Sequence, residues 1–212
     1  MGGARRLAVL RKRSRLLDDA AHRTNIGPAR PHSCRSGEGT PGQAPGLLRV
    51  LRESDPDYVL LDGTLAECDR VGDSRADFSQ KHRRHGVNMQ VVADPACKLL
   101  WISPALPGRT HDLTAARTHR IIRICGRQGM PILADRAYIG AGSRVTRPIR
   151  GLAHQDLTVT QRMINRALSA SRAPVEQSVA RLKFWRVFRR ARSSPNSMTV
   201  IAAAVLTLER QR

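Results

Sequence analysis

The chain has 212 residues, enough for one domain of ordinary size with some excess chain. Lys and Arg number 37 against 17 Asp and Glu, which gives a formal net charge of +20. This surplus favours a polyanionic partner, and nucleic acid is favoured over a membrane because no apolar run approaches the ~20 residues that span a bilayer. The four cysteines include no C-x-x-C pair, which is typical of reduced thiols in a cytosolic protein.

Residues 1–46 differ in composition from the rest of the chain. They are rich in Gly, Pro, Ser and Arg and show no hydrophobic period of a strand or a helix. We therefore expect a disordered or degenerate basic segment over 1–46, and one folded domain over 47–212.

The folded part opens with β-type patterns. A short apolar strand, Val59–Leu61, is predicted to end at Asp62, and the polar stretch 66–86 predicts a loop. Two runs rich in β-formers, 87–94 and 98–103, are separated by a Pro-Ala turn and predict a hairpin.

Helices dominate the second half of the sequence. A helix is predicted from Thr110 or His111 to Gly129, before a second short strand that ends at Asp135. Thr158-x-x-Gln161 is a capping box, Pro174 suits the first position of a further helix, and an apolar helix closes the chain. This order predicts the α/β class, with a mixed central sheet flanked by helices.

Four acids are candidates for a metal site. Asp62 and Asp135 each close an apolar strand, and the ends of neighbouring parallel strands lie a few Å apart. Adjacent carboxylates repel unless a cation lies between them, and hard oxygen donors suit Mg²⁺. Glu176 and Asp112, each predicted in the first turn of a helix, are the third and fourth candidates. Each acid alone also has a structural interpretation, as a turn former or a helix-dipole partner.

Four motifs in order resemble the DDE-type transposases of bacterial insertion sequences, in particular the IS-five-type group related to Harbinger elements. They are "DGTL", "KHRRHGVNMQVVADPACKLLWISPALPGRTHDLTAAR", "ILADRAYIGAG" and "NRALSASRAPVEQSVARLKFWRV". The resemblance covers residues 58–208 and is more specific than any single short pattern.

The resemblance implies a ribonuclease-H-like fold and the catalytic acids Asp62, Asp135 and Glu176. Arg172, Glu176 and Lys183 fit the family spacing Arg-x3-Glu-x6-Lys, whereas Ser169 stands where the family has Tyr. In "ADRAY" an Ala, Ala137, replaces the usual Gly, and we expect it to tighten the turn after Asp135. Asp112 of "THD" is a weaker fourth metal ligand.

The mechanism implied is cleavage of a transposon end with two Mg²⁺ or Mn²⁺ ions, followed by attack of the freed 3′-hydroxyl on target DNA. The implied partners are transposon-end and target DNA, with a homo-oligomer on that DNA and no membrane, in the bacterial cytoplasm at the nucleoid. The basic side chains expected to hold phosphates are Lys81, Arg83, Arg84, Arg172 and Lys183. A solvated charged loop is the alternative interpretation of residues 81–86, and the spacing of His82, His85 and His111 fits no common zinc site.

The N-terminal segment departs from the family, because residues 1–50 show no helix-turn-helix pattern for reading terminal repeats. We therefore expect a shortened copy that lacks the end-recognition domain. Three other functions remain open: an inactive or domesticated DNA-binding protein of this fold, a nuclease of this fold without strand transfer, and a basic RNA-binding protein. The RNA-binding alternative predicts that function does not depend on the acids.

Overall fold

A computed structural model describes residues 45–68, 75–151, 155–191 and 195–211, all within one compact unit, Gly39–Arg212. Apart from its last two residues, the predicted disordered segment 1–46 lies outside the described residues, so it stays a prediction. In the described ranges, no helix is both long and apolar enough to cross a membrane.

Strands occupy the first half of the domain and long helices the second, as the α/β prediction requires. In chain order the described elements are α1 (Leu47–Ser54), β1 (Val59–Glu67), β2 (Phe78–Ser79), β3 (Arg84–Ala93), β4 (Leu99–Ile102), β5 (Leu106–Pro107), α2 (Asp112–Thr118), α3 (Ile121–Arg127), β6 (Ile132–Ala134), a 3-10 turn (Arg136–Tyr138), β7 (Val145–Thr146), α4 (Val159–Phe184), α5 (Arg186–Arg189) and α6 (Pro195–Arg210).

The sheet is mixed, which confirms that part of the prediction. Its order is β2-β3-β1-β6-β7, and β4 and β5 also pair with β3. The pair β1–β3 is antiparallel, whereas β1–β6 and β6–β7 are parallel. The hairpin of β3 and β4 is present where the sequence predicted it.

Strand β1 is longer than the sequence predicted. It continues past Asp62 to Glu67, and β3 begins at Arg84, so the predicted loop 66–86 contains parts of both strands. The reason is their pairing, which runs without interruption from Leu60↔Ala93 to Glu67↔Gly86. This ladder overrides the weak strand propensity of the Asp-Gly pair.

Both faces of β1 are covered, which explains its continuous apolar run. Leu60 packs in a core with Met89, and with Leu182 of α4. Its neighbours Val59 and Leu61 point to the opposite face, into the core that includes side chains of α1 and α3.

The helix predicted over 110–129 is two helices. Arg120 adopts a left-handed backbone conformation, with φ of 57°, between α2 and α3. Gly129, with φ of 67°, lies just after the second helix, as expected of a glycine that ends a helix.

Helix α4 corrects the prediction that Pro174 starts a helix. The helix begins at Val159 behind the predicted Thr158–Gln161 capping box and runs through Pro174 to Phe184. Buried contacts on the far side of the proline, from Val175 and Leu182, hold the second half in line with the first. The capping-box prediction is confirmed.

We expect Pro174→Ala to stabilise the domain by about 1–3 kcal/mol, since Pro174 cannot donate to the Ala170 carbonyl within the helix. Thermal and urea unfolding, followed by far-UV circular dichroism, measure the change. Ala173→Gly, on the neighbouring position, is the control and should destabilise. A loss of stability in Pro174→Ala would show that the core needs the bend that the proline imposes.

Candidate active site

Asp62 and Asp135 occupy equivalent places on neighbouring parallel strands. The pairing of β1 with β6 ends at Leu61↔Ala134, and the next residues are Asp62, within β1, and Asp135, directly after β6. Parallel strands lie about 4.8 Å apart, and residues in register point to the same face of the sheet. The register therefore places the two carboxyl groups side by side.

The surroundings of Asp62 disfavour its charge. Burial raises the pKa of Asp62 from 3.8 to about 6. The nearby guanidinium of Arg172 opposes this shift, whereas the negative charges of Asp135 and Asp112 add to it. One of its oxygens accepts the Gly63 N–H at 2.9 Å. Three carboxylates thus act on one another at this edge of the sheet, which is an environment that attracts a cation.

Asp135 is held by the 3-10 turn that follows it. Its carboxylate accepts the N–H of Ala137 at 2.8 Å and so caps the turn Arg136–Tyr138. Ala137 is exposed and is not among the described residues of positive φ, so this turn accommodates an alanine without backbone strain.

Asp112, the first residue of α2, lies directly against β1. An added Cβ on Gly63 would stand 2.1 Å from its Oδ1, so only a glycine leaves room for this carboxylate. Oδ1 accepts from Asn88 Nδ2 at 2.8 Å, and Oδ2 accepts from Lys81 Nζ at 3.0 Å. Both oxygens of the buried Asp112 therefore already have donors.

A buried chain of polar side chains supports Asp112 from behind. The Tyr138 hydroxyl donates to Gln90 Oε1 at 2.6 Å, and Gln90 Nε2 donates to Asn88 Oδ1 at 2.9 Å. Burial, followed by the charges of Asp112 and Asp62, raises the pKa of Tyr138 well above its usual value, which keeps its donor proton in place. The chain fixes the orientation of the Asn88 amide towards Asp112.

Arg172 and Glu176 lie one turn apart on α4 with different surroundings. Arg172 is buried, its Nε lacks a hydrogen-bond partner, and its charge acts on Asp62. Glu176 is exposed. In the described part of the chain, no three His, Cys, Asp or Glu side chains lie together closely enough to hold one metal ion. The convergence of Glu176 with the two aspartates stays a prediction.

The basic side chains predicted to hold phosphates divide into two sets. Lys81 forms an ion pair with Asp112. Partial burial, and then the charges of Lys81 and Lys183, lower the pKa of the neighbouring His82. Because its charge acts on His82, Lys183 of α4 lies near this loop. Arg84 instead pairs with Glu67 of β1 at 2.6 Å. Arg83 is exposed and has a positive φ of 51°.

Sequence reasoning did not identify four residues that build the site: Gly63, Asn88, Gln90 and Tyr138. A signal was present for two of them. Asn88 and Gln90 are polar positions with the period of a strand inside the apolar run "VNMQVV", which indicates that both point to one face. Polar side chains buried together on one face need partners, and here those partners lead to Asp112.

Two aspartates that follow the last paired residues of two parallel strands, a third buried acid and nearby cationic side chains lie together here. Such a set of groups is compatible with chemistry on phosphates. The comparison with protein families agrees: residues 61–209 match the family described as DDE superfamily endonuclease. The chain belongs to this family. Neither the search of curated proteins nor that of solved structures gives a match.

We expect Gly63→Ala to destabilise the domain by about 2–4 kcal/mol, because its Cβ overlaps Asp112, whose displacement would break the contacts to Asn88 and Lys81. Urea unfolding measures this change. Gly126→Ala, in α3, is the control; its Cβ meets only the flexible end of Arg144, so no loss is expected. Equal stability of both variants would contradict the close packing of Asp112 on β1.

Asp62→Asn should stabilise the metal-free protein at pH 7.5 by about 1–3 kcal/mol. A pKa raised from 3.8 to about 6 means that the stabilising contribution of Asp62 is complete below pH 3.8 and is lost as the pH rises through 6. Asparagine carries no charge and removes this dependence. Unfolding in EDTA between pH 4 and 7.5, with Asp156→Asn as the exposed control, measures the difference. Identical pH profiles for wild type and Asp62→Asn would contradict it.

Proposed function

We propose that this chain is a metal-dependent DNA transposase of the insertion-sequence type, in the IS-five-type group, with a ribonuclease-H-like fold. The family supports an endonuclease acting on DNA. The proposal adds the metal ions, the three catalytic acids Asp62, Asp135 and Glu176, and the transfer of the cut strand to a target.

The observation that carries this proposal is the β1–β6 register. It brings two acids from distant parts of the sequence to one edge of the sheet, where burial and mutual repulsion raise the pKa of Asp62 to about 6. A purely structural pair of aspartates gains nothing from this repulsion, whereas a cation site uses it.

The donor set fits a divalent metal. Asp62 and Asp135 offer carboxylate oxygens, which Mg²⁺ and Mn²⁺ prefer, and the charge of Asp112 adds to theirs. Asp112 would not bind the metal directly, because Asn88 and Lys81 already donate to its two oxygens. It would add its negative charge from beside the metal ligands. When bound, two such ions supply Lewis-acid polarisation of the phosphate and a readily deprotonated water.

The protein's own cations would position the DNA strand. Arg172, whose charge acts on Asp62, would attract the non-bridging oxygens of the phosphate to be cut. Lys81, tied to Asp112 on the other side, would hold the same strand as a point charge, and Lys183 would extend this contact. Fixed cations leave the phosphate in line for attack.

Glu176 completes the proposed triad from α4. It follows Arg172 by four residues, so both project from neighbouring positions of the helix, and Arg172 already acts on Asp62. Its exposed carboxylate is free to turn towards the two aspartates, which would also neutralise part of the charge around Arg172.

The chemistry would proceed in two displacements at one site. Water first attacks phosphorus at the transposon end, a P–O bond forms, and the bond to the 3′-oxygen breaks and leaves a 3′-hydroxyl. That hydroxyl then attacks a target phosphate, so one phosphodiester is made as another is broken. Two transposon ends must be joined to one target, so the acting species is a homo-oligomer on DNA.

Asp62→Asn, Asp135→Asn and Glu176→Gln should each lower Mg²⁺-dependent nicking of DNA by roughly 10³-fold or more. Each removes a proposed ligand without removing the surface that binds DNA, so the affinity for DNA should stay within about threefold. Nicking of supercoiled plasmid and fluorescence anisotropy with a labelled duplex measure the two quantities. Asp156→Asn, at an exposed acid, is the control.

A second readout is independent of turnover. At 100 times its dissociation constant, a bound metal stabilises a fold by about 2.7 kcal/mol. Mg²⁺ should therefore raise the melting temperature of wild type and of Asp156→Asn, and have no effect on Asp62→Asn. Undiminished nicking by Asp62→Asn would place the chemistry elsewhere. Loss of nicking by the aspartate variants but not by Glu176→Gln would remove Glu176 from the triad.

A further inference from the structure

A basic groove lies on the side of the domain formed by α2 and α3, apart from the acids. Its volume is about 450 Å³, and it is lined by Ala116, Arg117, Arg120, Ile122, Arg123 and Ala141. The three arginines are exposed. In the described ranges, no carboxylate forms an ion pair with any of them. Three unneutralised guanidinium groups around one concavity repel each other, and an anion relieves this repulsion.

The sequence around the groove lacks negative charge. Between Asp112 and Asp156 the chain carries eight arginines and a single acid, Asp135, which belongs to the site described above. A solvated charged surface normally mixes both signs, whereas a surface of one sign over this length is typical of a nucleic-acid footprint.

Local structure holds the arginines towards the groove. Arg120 adopts its left-handed conformation at the junction of α2 and α3, which costs an arginine about 1–2 kcal/mol relative to a normal helical backbone. Arg117 is anchored by a 2.7 Å hydrogen bond from its guanidinium to the Gly140 carbonyl. The planar guanidinium of arginine also matches the geometry of phosphate oxygens better than the lysine ammonium does.

The groove continues the active site along α2. Asp112 is the first residue of this seven-residue helix, Arg117 lies in its last turn, and Arg120 follows two residues after its end. Seven residues of helix span about 10 Å, a distance that a DNA strand covers within a few nucleotides. A strand whose phosphate lies at the acids would thus place another phosphate at the arginines.

We propose that the α2–α3 groove binds the phosphodiester backbone of the substrate DNA within a few nucleotides of the phosphate that is cut. The inference rests on the proposed function for the identity of the polyanion. It adds a second anchoring point, which would fix the direction in which the strand leaves the acids.

The double variant Arg120→Asn/Arg123→Gln tests this groove. Asparagine tolerates the left-handed conformation at position 120, so the fold should be retained, as a thermal melt verifies. The matched control is Arg166→Gln/Arg186→Gln, two exposed arginines of α4 and α5 that do not line the groove. All proteins carry Asp62→Asn, so that binding of a 30-base-pair DNA duplex is measured without cleavage.

Two phosphate contacts contribute about 1.8 to the slope of log K against log salt concentration. We expect the magnitude of this slope to fall by about 1.8 in the groove variant and by about half as much in Arg123→Gln alone, each relative to the parent protein. In the control variant it should fall by less than about 0.5. Equal salt slopes for the groove variant and the control would overturn the proposal. The same binding measurement with duplex RNA is a second test, and a loss of slope seen only with RNA would also overturn it.

The two proposals fail separately. If a protein with intact Asp62 does not cut DNA with Mg²⁺, the proposed function fails. The salt dependence of DNA binding still tests whether the groove contacts phosphates. If that protein cuts DNA but the groove variant binds like the control, the groove inference alone fails.

Discussion

The three-residue parallel pairing of β1 with β6 is the constraint on which the site depends. It ends at Leu61↔Ala134, so the chain places Asp62 and Asp135 side by side before any other element contributes. The other parts of the site lie around this pair. Gly63 leaves room for Asp112 beside β1, and the charge of Arg172 acts on Asp62. A shift of one residue in the register would turn one aspartate to the opposite face, so the cores on both faces of β1 also maintain the chemistry.

The sequence predicted the class of fold and the neighbourhood of the two aspartates because both follow from local patterns. Each of the two apolar runs that lead into an aspartate is a strand, and the two strands are parallel neighbours, although β1 continues past Asp62 to Glu67. The order of the motifs indicated a DDE-type enzyme, and the comparison confirms the DDE superfamily, whereas the IS-five-type group stays a prediction. The resemblance also named Glu176, whose role remains a prediction, because its exposed side chain meets neither aspartate in an observed contact.

What the sequence could not supply depends on contacts between distant residues. Asp62-Gly63 is a poor strand former, yet it lies inside β1 because β3 pairs with it along its whole length. Pro174 is a helix breaker by local preference, yet α4 passes through it because the buried residues beyond it pack on the sheet. The support of Asp112 by Asn88, Gln90 and Tyr138 joins three elements, and no spacing within one of them reveals it.

The extension of β1 beyond β6 has a consequence for solubility. After Leu61 the strand pairs with β3 on one side, and its opposite edge stays without a described strand partner until Glu67 and Cys68, where Ala191 forms a bridge to it. An open sheet edge invites the edge of another molecule, and charged side chains at the edge are a common protection against such aggregation. Asp62 and Asp135 flank this opening, so the carboxylates that repel one another would also repel a second copy of the sheet. Neutral replacements at these positions should therefore gain intrinsic stability while becoming more prone to self-association.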